Sequence, residues 1–498
     1  MQVIKYEDLF MYFAGGKDFL VELGEETGIG ASRLLVRKCE KTFLIDSGIA
    51  FKGYGIDKIT TFPEGGNLKD IYIDAIIFTH IHADHIGLII PTLKAHPESR
   101  VFLSRGTLEE SKVVLSDMLT VQKRASRSAY YAGLPAPTPL FSEQDMADFL
   151  SRAENGSFEI VDTDEEDEWI TFNDWPGWEF GFTFSGHTMG AFISLVKCPD
   201  GDGLVFSGDL SGHDQETTKG VPTLSNRFLK MADFRSCKRI VSITEATNGD
   251  HDREETLEAS DARLKAILEE TQRRGGQALF LVFQVNRGPN IVAKLDRLGF
   301  KVFVAGGVRK TLPIEVGREQ VRKWLDDGTV MFIADGPDYM SMLEGATRGN
   351  YGFRPIVTSS ATLDQGAGVE FAHHMLPNPA NVLISTGHIF DGSAMQEFFR
   401  VKDQPVVAGR TIVLNRMINN RPTKTPVHVK CKGEHIDYSA HSYRSELVTF
   451  QTALKPNLVF VKHCTESGFH GLENALCTEL GEKCPPIEWA RHLHLFEF

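Results

Sequence analysis

Thr79-His80-Ile81-His82-Ala83-Asp84-His85 follows directly on the apolar run Ile73 to Phe78. A short apolar run with a polar boundary predicts a buried strand, so this cluster sits at a strand end. Neutral imidazole nitrogen and carboxylate oxygen are both zinc ligands. Where a strand gives way to a turn, His80 and His82 can point one way while Asp84 and His85 reach another. That geometry serves two adjacent cations. Chance surface histidines do not account for donors this dense.

Two further strand ends supply matching donors. His187, in Ser185-Gly186-His187-Thr188-Met189-Gly190, follows Phe180 to Phe184, and its flanking glycines let the backbone turn the imidazole inward. Asp209, in Phe206-Ser207-Gly208-Asp209, follows Leu204 to Phe206 and offers a carboxylate that can bridge two cations. The long spacing from His80 to His187 predicts inserted loops, the acidic stretch Asp162 to Glu168 among them as a solvated loop.

The remaining chain sets the frame. Its 498 residues, 42% hydrophobic and 24% charged, describe an ordinary globular protein of two to four domains, or one large domain carrying an insertion. A net charge of −14 excludes a generally basic nucleic-acid coat, though not a local basic groove. No signal pattern opens the chain, and no window is apolar enough to span a membrane. The seven cysteines, without CxxC spacing, suggest neither a disulfide framework nor a thiolate zinc knuckle, and make a reducing cytoplasm the default.

Short strands are expected over Ser32 to Val36 and Thr42 to Ile45. After residue 250 the texture changes. Leu257 to Gln272 has helical spacing, Ala278 to Val285 reads as a buried strand, Ile291 to Leu298 as a helix and Lys301 to Ala305 as the next strand. Pro355 to Thr358 and Asn381 to Ser385 continue that rhythm, which implies a parallel sheet. The expected division is a first domain over 1–250, an inserted α/β module over 251–400, and a return to the first domain over 401–498.

His80, His82, Asp84 and His85, then His187, then Asp209, resemble the metallo-β-lactamase superfamily of metal hydrolases. Three later segments narrow the resemblance: Ile243-Thr244-Glu245-Ala246-Thr247, Tyr438-Ser439-Ala440-His441-Ser442, and Val459-Phe460-Val461-Lys462-His463. With an α/β insertion between Glu245 and His441, this order resembles the β-CASP nucleases, which include ribonuclease J and the RNA 3′-end-processing endonucleases. The fold implied is a metallo-β-lactamase αββα sandwich with an inserted β-CASP domain, of α/β class. The family usually has Gly after its last histidine; here Cys464 stands in that place.

What the resemblance implies about chemistry is specific. Two zinc ions are expected, with manganese also suited to these donors. One ion takes His80, His82 and His187, the other Asp84, His85 and His463, and Asp209 bridges them. Asp46 orients a ligand by hydrogen bonding. Asp84, Glu245 and His441 are the expected catalytic residues, with His441 as general acid kept protonated by Glu245. The implied activity is hydrolysis of RNA phosphodiester bonds, endonucleolytic or from the 5′ end, by a two-zinc-activated hydroxide. His463 favours RNA, because the DNA-acting branch carries an apolar residue there.

Single-stranded RNA is the expected partner, with a homodimer or partner subunits completing substrate selection, since the chain reads as a bare catalytic core. In the insertion, Ser359, Ser360, Ser385 and Thr386 are expected to donate to phosphate, and Arg273, Arg274, Arg287, Arg309 and Lys310 to form its basic face. The alternatives are a DNA nuclease on the same scaffold, a small-molecule metallo-hydrolase, and a scaffold protein without catalysis. Matched RNA and DNA strands separate the first, the size of the insertion disfavours the second, and metal content tests the third.

Overall fold

A computed structural model describes residues 2–3, 17–24, 30–49, 68–161, 169–221, 231–401, 410–419 and 421–498. The acidic stretch 162–168 lies outside them. Three large sheets organise the described chain. In the first, the strands Lys41–Ile45, Ala75–Ile77, Arg100–Ser104 and Glu159–Val161 run parallel, side by side. In the second, Asp202–Phe206, Arg239–Glu245, Leu458–Lys462 and Ile487–Trp489 do the same. The two sheets face each other across one core, where Phe43 and Phe102 from the first meet Phe180, Phe206, Val241 and Phe460 from the second. Helices cover the outer faces, giving the αββα sandwich.

The third sheet is wholly parallel and has the order Val330–Ile333, Val302–Ala305, Ile356–Thr358, Ala278–Leu281, Val382–Ser385, Lys432–His435. Its first five strands are nearly continuous apolar runs because both faces are covered, while Lys432–His435 at the edge is polar. Alternate residues divide between two cores: Leu279, Leu281 and Phe303 on one side, Ala278, Phe280 and Val304 on the other. Its last strand comes from beyond residue 400, where the sequence predicts a return to the first domain.

Three local expectations are corrected. The stretch between His80 and His187 is largely helical, not looped. Arg105–Ala132 starts at Ser104, whose side chain accepts from Thr107 N, and ends at Gly133 in the left-handed region (φ 68°). Glu143–Glu154 starts in a capping box of Ser142 and Asp145. The strand expected over Ala278 to Val285 stops at Leu281, since the chain leaves the sheet to reach Asn286 (φ 57°) and the helix Arg287–Arg297. Cys477 and Cys484 form a disulfide beside the end of helix Glu466–Leu480, a pairing that their odd-numbered, scattered company did not signal. Among the described residues no helix is long and apolar enough to cross a membrane.

Candidate metal centre

The donors converge because each lies at or just beyond the C-terminal end of a strand in one of the two facing sheets. Asp46 follows Lys41–Ile45, His80 follows Ala75–Ile77, His187 follows Glu179–Phe184, Asp209 follows Asp202–Phe206, and His463 follows Leu458–Lys462. Glu245 is the last residue of Arg239–Glu245. Open sheets present their functional residues at this edge. His441 arrives from another direction. Residues 436–443 connect the third sheet to helix Arg444–Leu454: Ile436 N donates to Ser385 O at 3.0 Å, and Ser442 N to Leu210 O at 2.6 Å.

Two groups of donors share Asp209. Nε2 of His80 and Nε2 of His187 lie 3.2 and 3.0 Å from Nδ1 of His82. Oδ2 of Asp209 is 3.7 Å from His80 Nε2 and 3.6 Å from His187 Nε2. On the other side, Asp209 Oδ2 is 3.3 Å from His85 Nε2, while His463 Nε2 is 3.4 Å from Asp84 Oδ2. Within each of the sets His80/His82/His187/Asp209 and Asp84/His85/His463, one ligand atom per residue falls within 4.8 Å of the others.

Surrounding hydrogen bonds fix which nitrogen faces inward. Asp46, itself at φ 61°, accepts from Thr79 N at 2.8 Å and from His85 Nδ1 at 2.8 Å, which leaves His85 Nε2 for Asp209. His187 Nδ1 donates to Ala440 O at 3.1 Å. Thr247 Oγ1 meets His463 Nδ1 at 3.0 Å. The missing glycine after His463 has a local answer: His463 itself holds the left-handed backbone (φ 51°), and Cys464 packs wholly buried beneath it.

The donor set fits cations on its own terms. Asp209 Oδ1 is shut away from solvent without a hydrogen-bond partner, a costly arrangement unless something else engages it. Burial, followed by the neighbouring imidazoles, holds His80 well below its ordinary pKa; burial likewise brings His82 down to about 4. Both therefore present lone pairs. Burial also disfavours charge on Asp84, but His463 and His85 outweigh it and keep the carboxylate ionised.

Glu245 accepts from Leu210 N at 2.7 Å and Thr247 N at 3.0 Å, and its two oxygens lie 3.1 and 3.2 Å from His441 Nδ1. Burial alone would lower the His441 pKa; Glu245 reverses this and lifts it to about 9. The His441 ring lies 4.5 Å from that of His187, centroid to centroid.

The residues expected to hold substrate divide differently. Ser385 and Thr386 are buried at the end of Val382–Ser385, and Thr386 Oγ1 lacks a partner. Ser359 Oγ accepts from Gly307 N at 3.1 Å, and Ser360 Oγ pairs with Thr362 Oγ1 at 3.1 Å. Arg273 and Arg274 both pair with Glu270, Arg309 with Asp335 and Lys310 with Asp117, so these four form no free basic face. Arg287 lies among Asp437, Tyr443 and Arg253. Sequence reasoning missed the groups around it: Arg253 donates to Asp437 O at 3.1 Å and lies over the Tyr443 ring, while His213 links Glu446 to Ser439 O. Their meeting is purely tertiary. It missed Asn286 as well, whose side-chain amide donates to His187 O and ties the third sheet to the His187 loop.

Two facing sheets with a histidine and carboxylate cluster on their common edge define the metallo-β-lactamase class of fold. Residues 29–247 match the family model of the metallo-β-lactamase superfamily, and residues 426–484 that of the Zn-dependent metallo-hydrolase RNA specificity domain. Endoribonuclease YSH1 of Saccharomyces cerevisiae is 23% identical over 88% of this chain and 53% of its own length. The transcription termination factor FttA of Methanocaldococcus jannaschii is 22% identical over 87% of this chain and 64% of its own length. The chain thus spans little more than half of the yeast relative. A solved structure of a protein of unknown function from Enterococcus faecalis V583 shares the fold, with a TM-score of 0.53 at 13% identity over 97% of this chain and 100% of that one. The chain thus carries metallo-β-lactamase and RNA-specificity domains and is homologous over most of its length to endoribonuclease YSH1 and to FttA.

Proposed function

We propose that this chain is a metal-dependent ribonuclease that hydrolyses internal phosphodiester bonds of single-stranded RNA. The observation that carries this reading is Asp209, whose carboxylate lies between His80/His82/His187 and Asp84/His85/His463. In it, the first group would hold one zinc ion and the second another, with the Asp209 carboxylate within reach of both groups. Paired cations supply an activated water and charge stabilisation at phosphorus. The chain's own residues do the rest. Asp46 and Thr247 hold the rings of His85 and His463 in place. Glu245 keeps a proton on His441, and the Nε2–H of His441 gives that proton to the departing ribose oxygen. Arg287, with Ser385 and Thr386, contacts the phosphate backbone from the inserted sheet.

RNA as substrate and cleavage within the strand carry over from the relatives named endoribonuclease and from the RNA specificity domain matched over 426–484. The insertion is assigned to about residues 251–435, its end moved from 400 to include the strand Lys432–His435. A cytoplasmic setting and further subunits belong to the same reading. The test incubates end-labelled RNA and matched DNA with the chain, with and without chelator, and maps the products. Internal RNA fragments formed only with metal support it; no cleavage at about two zinc per chain overturns it, and preferential cutting of DNA moves the chain to the other nuclease branch.

A further inference from the structure

Helix Arg105–Ala132 begins at the metal centre and ends on a surface that the proposed chemistry does not use. Its first turn packs against the His187 loop so closely that a Cβ added to Gly106 would lie 3.0 Å from Gly190 Cα. From there the helix runs about 36 Å, at 1.5 Å per residue, to Tyr130 and Tyr131. Tyr130 is 78% exposed, Tyr131 50% and Leu134 59%, and the tyrosine rings lie edge to face at 5.6 Å. Exposed rings grouped in this way are unusual for a surface without a partner.

The charge around them is equally out of character. The chain carries −14 overall, yet residues 118–142 hold Lys123, Arg124 and Arg127 and no acid. Residues 410–433 hold Arg410, Arg416, Arg421, Lys424, Lys430 and Lys432, again with no acid. The two segments meet: the hairpin Thr411–Ile418 with Arg421–His428 brings the Arg421 guanidinium 5.6 Å from the Tyr131 ring centre. Arg127 stands three and four residues before the tyrosines and Arg124 three before Arg127, so helical spacing aligns them. Some exposed cations elsewhere are neutralised, as Lys94 by Asp145 and Arg400 by Glu397. Among the described residues, Arg124, Arg127, Arg421 and Lys424 are exposed and in no ion pair.

Unpaired cations interleaved with exposed rings match a ligand that alternates phosphates and flat bases. A second copy of this chain would cover the apolar part but bring a like-charged rim against it. We propose that Tyr130 and Tyr131, with Arg124, Arg127 and Arg421, form a secondary docking surface for single-stranded RNA, remote from the cleaved bond. The identity of the strand rests on the ribonuclease reading. At 3.4 Å per stacked nucleotide, the helix spans about ten nucleotides.

The test measures binding and cleavage separately on the full zinc-loaded chain, with fluorescent RNAs of about 8 and about 30 nucleotides. Tyr130→Ala with Tyr131→Ala is expected to weaken binding of the long RNA about tenfold or more and to leave affinity and turnover on the short one unchanged. Replacing Arg124, Arg127 and Arg421 by Gln is expected to lower the salt slope for the long RNA by about two. Tyr130→Phe with Tyr131→Phe keeps the rings and is expected to keep binding. Equal losses on both lengths, or none on the long one, overturn the surface while leaving the ribonuclease reading intact. Ring-dependent binding of long RNA without any cleavage supports the surface and overturns the ribonuclease reading. Loss of a dimer in sedimentation without loss of RNA affinity assigns the patch to a second copy and overturns the proposal.

Discussion

Asp46 places no atom in the proposed cation sites, yet its two oxygens engage Thr79 and His85 and so decide which way the His85 ring faces. Removing such a support typically costs about 10–100-fold in metal affinity. Asp46→Ala is therefore expected to lower zinc affinity by that order in competition with a chelating dye; unchanged affinity would show that His85 is held by other means. His441 is engaged with Glu245 and is not among the expected ligands, although its ring nitrogen also falls within 4.8 Å of donor atoms of Asp209, Glu245 and His463. His441→Ala is expected to reduce turnover about 10²–10⁴-fold, the usual yield of a general acid, with zinc content by elemental analysis unchanged. A parallel loss of metal would reassign it as a ligand. At this scale the sequence was informative wherever a donor followed an apolar run, as at His80, His187 and Asp209. It was silent about Thr247, Arg253 and Asn286, ordinary polar residues whose partners lie far along the chain.

Helix Arg105–Ala132 shows what an element can hide. Leu108, Leu115 and Leu119 recur at helical intervals, a signal present in the sequence but overshadowed by the expectation of loops. Four strands of the third sheet were legible, because burial on both faces leaves an unbroken apolar run, whereas Val330–Ile333 and the polar Lys432–His435 were not; nor was the end of Ala278–Leu281, since the chain leaves the sheet there to reach Asn286. The helix also carries Glu110, fully buried and facing Glu315 of helix Val308–Glu315. Burial, then the charges of Glu315 and Glu109, hold Glu110 well above the usual carboxyl range; burial raises Glu315 to about 8, although Asn286 N donates to it at 2.8 Å. Raised folded-state values favour the protonated pair. The stability they allow is complete below the unfolded pKa, near 4.5, and is lost as pH rises through about 8. Glu315→Gln keeps an acceptor for Asn286 and removes the ionisation. It is expected to raise the Tm at pH 8 and flatten the decline between pH 5 and 8 in a thermal melt; an unaltered slope would clear this pair of responsibility.

The whole molecule gathers donors from both facing sheets onto one edge, so cations bound there would act as a clasp between distant parts of the chain. A ligand bound only by the folded state stabilises it. Chelation is therefore expected to lower the Tm measurably, and Asp209→Ala to shrink that difference, as calorimetry with and without chelator would show; identical melts would mean that the edge is held without metal. The αββα class and the insertion could be read in advance because strand ends and parallel-sheet rhythm are written locally, whereas the point at which the chain rejoins its first domain depends on the pairing of Lys432–His435 with Val382–Ser385. That pairing has a further consequence. The eight residues after His435 leave the inserted sheet at Ser385 and Thr386 and reach Leu210 by Ser442, so His441 hangs from that sheet by a short tether. A chain cut back to the two facing sheets would therefore lose the anchor that sets the position of His441.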